Sequence, residues 1–175
     1  MEFCDLDWKA IGSFVSAGAT LVGARVAWKI SEKWREQKAS EEISKECKEL
    51  VIKLYELETL YLKLDELESI PVGLTYPNNK TKKDIRKEFF NNVKEWKYAN
   101  NSKFNFVKTL TNSKVLESKI DDLIELLKDF YSHNLIQRFI SDDDIKELVK
   151  SEETIKAIDN IRIAIIPFIK HSKRG

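Results

Sequence analysis

An all-α fold is predicted for this chain, with an N-terminal transmembrane helix continuing into a long helix and then a small helical bundle. Three observations predict it. Glycine and proline are scarce, with five and three among 175 residues. Apolar residues recur at steps of three and four, which is the period of a helix face. The segment 8–28 carries charge only at Lys9 and Arg25.

Small and large side chains of the segment 8–28 fall on different faces when it is drawn as a helix. In lipid, helices associate by close backbone approach through Gly, Ala, Ser and Thr. We therefore expect a homo-oligomer, whose helices either line a pore or serve only as anchors. The predicted oligomer or pore face consists of Gly12, Ser13, Ser16, Ala19, Thr20, Gly23 and Ala27.

The ends of this segment resemble the borders of a membrane span. Trp8 and Trp28 stand where aromatic belts lie, and Arg25 and Lys29 can extend to lipid headgroups. The uncharged run 10–24 is shorter than the about 20 residues that a span needs, however. A soluble small-residue helix, buried in a core or an oligomer, is therefore the alternative.

Basic residues are unevenly distributed around the segment. Only Lys9 precedes it, whereas Arg25, Lys29, Lys33, Arg35 and Lys38 lie at its end or follow it. The positive-inside rule then predicts a bacterial inner-membrane protein with its N-terminus outside and its C-terminal domain in the cytoplasm. In that topology Cys4 would react with an impermeant maleimide in intact cells, and Cys47 only after lysis.

Three regions are predicted: a membrane helix over 1–30, a long cytoplasmic helix over 31–70, and a helical bundle over 71–175 that packs on the long helix. The long helix carries an apolar seam, interpreted as an intramolecular bundle face in preference to an intermolecular coiled coil. The seam comprises Ile43, Cys47, Leu50, Leu54, Leu57, Tyr61 and Leu64.

Helix ends in the bundle are predicted from capping residues. A second helix begins at Thr81 or Lys82 and ends near Asn100. Ser113 caps a third helix, and a last helix runs over 152–170. Isoleucines on several sides of this last helix indicate either a central position in the bundle, which is preferred, or a contact with a membrane or a partner. The acidic run 142–144 is read as the cap of a short helix rather than a metal site, since a Ca²⁺ loop needs Gly and Glu at fixed offsets.

Composition gives little support to an enzyme. The sequence contains no phosphate loop and no paired-His motif, so we predict no metal and no cofactor. Beyond Lys38 basic and acidic residues are equal in number, which is unfavourable for general nucleic-acid binding. Two local groups of basic residues are exceptions: the tail 170–174 and the cluster Lys80, Lys82, Lys83, Arg86 and Lys87. Each group either contacts RNA or anionic lipid or is simply solvated.

All-helical HEPN ribonucleases use a catalytic Arg–His pair, in which His follows Arg by four to six residues. Here His133 precedes Arg138, and Arg162 precedes His171 by too many residues, with Pro167 between them. The motif is absent in its usual form, and Arg162 and His171 are weak catalytic candidates only.

The whole plan resembles the small single-pass membrane accessory proteins of RNA-targeting CRISPR systems. That resemblance rests on the small-residue helix and the degenerate Arg–His pattern. It implies a divergent HEPN-like bundle and a pore-forming oligomer that enhances antiviral defence. We therefore expect a non-enzymatic, membrane-anchored effector whose partners are itself, membrane lipid, and a protein effector complex or RNA. The alternatives are a membrane-tethered HEPN-like domain that binds or cleaves RNA, and a soluble helical adaptor.

Overall fold

The computed structural model describes residues 8–69, 80–128 and 151–170, with side chains described from Val15 onward. Four α-helices account for nearly all of these residues: α1 Trp8–Glu68, α2 Lys82–Thr111, α3 Lys114–Leu126 and α4 Ser151–Lys170. The described parts of the chain contain no strand. The all-α fold predicted from the sequence is confirmed.

The C-terminal part of α1 forms the centre of the bundle. The predicted seam is buried within the chain, with Leu50, Leu54, Leu57 and Tyr61 fully inaccessible to solvent. These residues pack in one core with α2, α3 and α4. The preferred intramolecular interpretation of the seam is confirmed. Truncating one of these leucines to alanine costs about 2–5 kcal/mol in buried cores of this kind.

Helix α2 is longer than predicted. It passes through Asn100, where an end was expected, and continues to Thr111. The Asn100 side chain turns inward and donates its Nδ2 hydrogen bond to the Trp96 carbonyl, 2.7 Å away. Because Phe104 and Val107 are then fully buried on the same face, packing outweighs the local preference of Asn for helix ends.

Both predicted helix starts are confirmed. Thr81 and Asp84 form a capping box, in which the Thr81 hydroxyl accepts from the Asp84 amide and the Asp84 carboxylate accepts from the Thr81 amide. The Ser113 hydroxyl accepts a hydrogen bond from the Leu116 amide at the start of α3. Asn112 between the two helices has a φ of 45°, which Asn tolerates better than most residues.

Helix α4 runs antiparallel to α1. Its first residue, Ser151, donates to an Asp65 carboxylate oxygen at 3.1 Å, and near its end the Ile169 carbonyl accepts from the Ser44 hydroxyl at 3.4 Å. Ile158, Ile161 and Ile165 are fully buried, whereas Ile163 and Ile166 on the opposite side of α4 are 66% and 42% exposed. Helix α4 therefore packs through one face, and the central position expected from its isoleucine-rich sequence is wrong.

The predictions for residues 129–150 lie outside the described residues. They include the acidic helix cap at 142–144 and the His133–Arg138 pair. The turn residues of segment 71–79, including Pro71 and Pro77, predict a loop, which also lies outside the described residues.

Candidate functional site: the projecting arm of α1

The first part of α1 extends away from the bundle. Every side chain of residues 15–39, here called the arm, is exposed, and burial in the core begins only at Ser44. At 1.5 Å per residue the arm is about 37 Å long. The bundle therefore presents a helix that the described residues do not cover.

The arm exposes large apolar side chains that a helix in water does not favour. Each of them is more than half exposed: Val15, Leu21, Val22, Val26, Trp28, Ile30 and Trp34. Exposed apolar surface of this extent marks a contact with another protein or a membrane. The arm is therefore the strongest candidate for a functional surface.

The predicted oligomer face lies on the arm. Ser16, Ala19, Thr20, Gly23 and Ala27 are all exposed, and the 3.6-residue period places them on one side of the helix. The Thr20 hydroxyl donates to the Ser16 carbonyl at 2.9 Å, so its hydrogen bond is made within the helix. The remaining members, Gly12 and Ser13, lie before the first described side chain.

Gly23 is not required by packing among the described residues. A Cβ built at this position meets no atom within 4 Å beyond its own stretch of helix backbone. Glycine inside a helix is less favourable than alanine by roughly 0.5–1 kcal/mol, because it loses more backbone freedom on folding. The open space at Gly23 leaves room for the close approach of a partner backbone, and Gly18, on the other side of the helix, is equally open.

Aromatic and basic side chains alternate at the bundle-proximal end of the arm. The Arg35 guanidinium lies 5.9 Å from the centre of the Trp28 ring, and the Lys38 ammonium lies 4.7 Å from the centre of the Trp34 ring. Trp28 and Trp34 remain 67% and 60% exposed. This mixture of amphipathic side chains is suited to a membrane–water interface.

The other predicted interface residues are placed only in part. Arg25 and Lys29 are exposed on the same helix as Trp28, and the side chain of Trp8 is not described. Among the helices that the structure describes, none has a stretch both long enough and apolar enough to cross a membrane.

The guanidinium of Arg162, a weak catalytic candidate, contacts side chains of both α1 and α4. It forms ion pairs with Glu58 on α1 and Asp159 on its own helix, and its guanidinium lies 3.7 Å from the centre of the Tyr55 ring. Burial lowers its pKa, but these ion pairs outweigh burial and raise the pKa above its ordinary value. Arg162 therefore joins α4 to α1 as a permanent cation. Its predicted partner His171 lies outside the described residues.

The basic cluster at the start of α2 is largely neutralised. Lys80 pairs with Glu88, while Lys82 and Arg86 both pair with Glu68. Only Lys83 and Lys87 of the cluster are exposed cations for which the structure shows no ion pair. This surface is consequently a poor match for a phosphate backbone.

Metal-ligating side chains and a surface cavity are two further kinds of candidate site. Across the described residues, no group of His, Cys, Asp and Glu side chains is arranged to hold a metal ion. A shallow cavity of about 270 Å³ lies between α1 and α2, lined by apolar side chains that include Leu64 and Phe89. Glu88, the carboxylate of its lining, pairs with Lys80, and Lys63 is a third charged residue of the lining.

No family model, curated protein or solved structure matches this chain.

Proposed function

We propose that this chain is a non-enzymatic effector held at a membrane by residues 8–28, and that it self-associates through the small-residue face of the arm. One observation carries the proposal: the arm is an ordered helix whose large apolar side chains have no cover within the described chain. Fully burying a side chain such as Val or Leu contributes about 1.5–3 kcal/mol. An arm with this many uncovered apolar residues gains several kcal/mol by entering lipid or an oligomer.

The spacing of the tryptophans supports lipid as one of the two partners. Trp8 and Trp28 are separated by 20 residues, or about 30 Å of helix, which equals the thickness of the hydrocarbon core. Basic residues Lys29, Lys33 and Arg35 then follow on the bundle side, and by the positive-inside rule they favour a cytoplasmic bundle with the N-terminus outside.

Self-association explains how so modestly apolar a helix is accommodated in lipid. Ser16, Thr20 and Gly23 lower its hydropathy, but they share one face. When that face packs against other copies, only the opposite face, with Leu21 and Val22, meets lipid chains. Whether the assembled helices enclose a pore or form a plain anchor depends on the number of copies.

The biological role follows from the resemblance described above. Proteins of that plan act in CRISPR-associated antiviral defence, and we propose the same role here, with a divergent HEPN-like bundle that serves as a scaffold and contacts an effector complex. The RNA-cleaving alternative is not favoured, because Arg162 is engaged by Glu58 and Asp159.

Fractionation of cells that express the chain tests the membrane part of the proposal. The wild-type chain is expected in the membrane pellet after a carbonate wash. The double substitution Leu21→Lys and Val22→Lys should move it to the soluble fraction, since each lysine costs about 2.5–3.5 kcal/mol near a helix centre in lipid. Val115→Lys is the matched control, because Val115 is as exposed as Val22 but lies on α3.

A soluble wild-type chain, or a double variant that stays in the washed pellet, would refute anchoring by the arm. The self-association part has its own test in Gly23→Leu and Ser16→Leu, which should abolish oligomers detected by native mass measurement in detergent. Oligomers that survive both substitutions would exclude this face.

A further inference from the structure

The end of the arm nearest the bundle carries a concentration of positive charge. Residues 25–38 contain five basic and two acidic residues, a net charge of +3. Because the whole chain carries +1, the remaining residues together carry −2. Every side chain of the segment 25–38 is exposed. Its basic residues, here called the belt, are Arg25, Lys29, Lys33, Arg35 and Lys38.

The charge of the belt is not neutralised by the described parts of the chain. The structure shows no ion pair for any of its five cations. The two carboxylates of the segment, Glu32 and Glu36, lie one turn apart and occupy a single side of the helix. In the bundle, by contrast, Lys82, Lys103 and Arg162 are each ion-paired with a carboxylate. Uncompensated positive charge is therefore concentrated on the arm.

Two cations of the belt lie against tryptophan rings. Arg35 contacts the ring of Trp28, and Lys38 contacts the ring of Trp34. Indole rings prefer the headgroup level of a bilayer. The same rings consequently bring the guanidinium and ammonium groups to the depth of the lipid phosphates.

The belt surrounds the helix rather than lining one side of it. At about 100° per residue, Lys33, Arg35 and Lys38 point in three different directions, and the five cations leave no gap wider than about 140° around the axis. A linear polyanion such as RNA lies along one side of a helix and would meet only part of the belt. A layer of lipid headgroups encloses a helix that crosses it and meets the whole belt.

The belt also stands at the height where headgroups are expected. Lys29, Lys33 and Arg35 follow Trp28 within about 10 Å of helix. The headgroup layer on each side of a bilayer is roughly 5–7 Å thick, and the field of an anionic surface extends about 8 Å further at physiological salt. These three cations therefore lie within reach of that field when Trp28 is at the lipid boundary.

We propose that the belt binds anionic phospholipid headgroups, such as phosphatidylglycerol, in preference to zwitterionic ones. The fixed positive charge of the belt attracts the net negative charge that a zwitterionic headgroup lacks. The inference rests on the proposed function, because it requires an arm that enters the membrane. It adds a lipid class to the anchor, and it makes the contact sensitive to salt.

Quenching of tryptophan fluorescence by brominated lipids tests the inference in the intact chain. The purified chain is reconstituted into vesicles of equal parts phosphatidylcholine and phosphatidylglycerol, with bromine on the acyl chains of one lipid or of the other. Trp28 and Trp34 report on the lipids beside the belt, whereas Trp96 is buried in the bundle. A preference of roughly fivefold for phosphatidylglycerol is expected, the factor that corresponds to one basic residue near an anionic surface. Salt at about 1 M should largely abolish it.

Two triple variants, both outside the core, identify the residues responsible. The test variant replaces three cations of the belt: Lys33→Gln, Arg35→Gln and Lys38→Gln. The matched control replaces three exposed cations of α2: Lys83→Gln, Lys87→Gln and Lys94→Gln. All four tryptophans are kept in both variants, so a difference in quenching between them reports on the cations. The belt variant should show equal quenching by the two lipids, and the α2 variant should keep the wild-type preference.

The outcomes separate the inference from the proposed function. An absence of quenching by either lipid would show that the arm does not enter the membrane and would overturn both. Equal quenching of the wild-type chain by the two lipids would overturn the lipid preference and leave the anchor standing. In that case, binding of a single-stranded RNA by the wild-type chain but not by the belt variant would assign the belt to nucleic acid. A preference that survives in the belt variant, or is lost in the α2 variant, would also overturn the inference.

Discussion

Glu68 and Arg86 form a bidentate ion pair that joins the last turn of α1 to the start of α2. The Arg86 Nε donates to Glu68 Oε1 at 2.8 Å, and Arg86 Nη2 donates to Glu68 Oε2 at 3.2 Å. Lys82 contributes a second cation, 2.9 Å from the same carboxylate. The pair is largely removed from solvent, with 4% of the Arg86 side chain and 14% of the Glu68 side chain exposed.

Replacing Glu68 with Gln is therefore expected to destabilise the bundle. The substitution removes the negative charge and leaves two cations beside a neutral amide in a partly dry site. We expect a loss of about 2–3 kcal/mol in the free energy of unfolding, below the value for fully buried pairs because Glu68 still reaches water. Urea denaturation measures it, and the exposed neighbour variant Glu66→Gln should change the same quantity by under about 0.5 kcal/mol. Equal effects of the two substitutions would contradict this prediction.

The contribution of Glu68 to stability depends on pH. Burial raises its pKa, but the hydrogen bonds and charges of Arg86 and Lys82 outweigh burial and hold the pKa below its ordinary value of 4.5. A carboxylate with a lowered folded-state pKa stabilises above its unfolded-state pKa, and that stabilisation is lost as the pH falls through the folded-state pKa.

The difference in unfolding free energy between the wild-type chain and Glu68→Gln should therefore be constant above about pH 6 and shrink as the pH falls below about 4.5. Denaturation curves of both proteins at several pH values between those limits and pH 3 provide the check. A difference that grows towards acid pH would mean that the carboxylate is not stabilised in its charged form.

Much of the bundle could be predicted from the sequence, because its signals are local. The capping residues Thr81 and Ser113 act on amides three residues away, and the seam of α1 repeats over several turns. The helix end predicted at Asn100 is wrong. The Asn100 side-chain amide bonds to the Trp96 carbonyl and Phe104 is buried, and both are consequences of packing.

The candidate site could be predicted only in part. Segregation of small and large residues identified the face that contains Gly23, since that pattern needs only the helical period. The role of Arg162 could not be predicted, because Glu58 and Tyr55 lie on a helix more than a hundred residues earlier.

The sequence predicts that a maleimide labels Cys47 after lysis, but the structure places this thiol in the core. It is fully buried, and burial, with a smaller effect of Glu46, raises its pKa to about 11. Thiols react as thiolates, so Cys47 should remain unlabelled by an impermeant maleimide until the chain is denatured. Labelling of Cys47 in the native chain would show that the bundle opens readily.

Topology can be tested with Cys4 and an introduced thiol instead. In cells that express the Ser118→Cys variant, Cys4 should be labelled while the membrane is intact, because the N-terminus is proposed to lie outside. The thiol at position 118 is exposed on α3 and should be labelled only after permeabilisation. The reverse order of labelling would invert the proposed orientation.

Arg162→Lys should lower the stability of the bundle although the charge is kept. Arg162 binds Glu58 and Asp159 through separate guanidinium nitrogens and also stacks on Tyr55. Lysine has a single ammonium group and cannot make the three contacts together. We expect a loss of about 1–2 kcal/mol in the free energy of unfolding, and the exposed substitution Lys156→Arg should be neutral. A variant of unchanged stability would show that these contacts of Arg162 do not hold α4 on α1.

The substitution Gly23→Ala should stabilise the helix of the arm and weaken its self-association. Gly18 and Gly23 both stand in open space, but Gly18 projects from the other side of the helix. In dilute detergent, where the chain is monomeric, either Ala substitution should slow amide hydrogen exchange in the arm roughly two- to fivefold, as the 0.5–1 kcal/mol advantage of Ala over Gly implies. In concentrated samples only Gly23→Ala should reduce the oligomer, since its methyl group separates the packed backbones. Sedimentation of both variants in the same detergent distinguishes the cases, and equal oligomer fractions for Gly18→Ala and Gly23→Ala would show that the arm does not associate through this face.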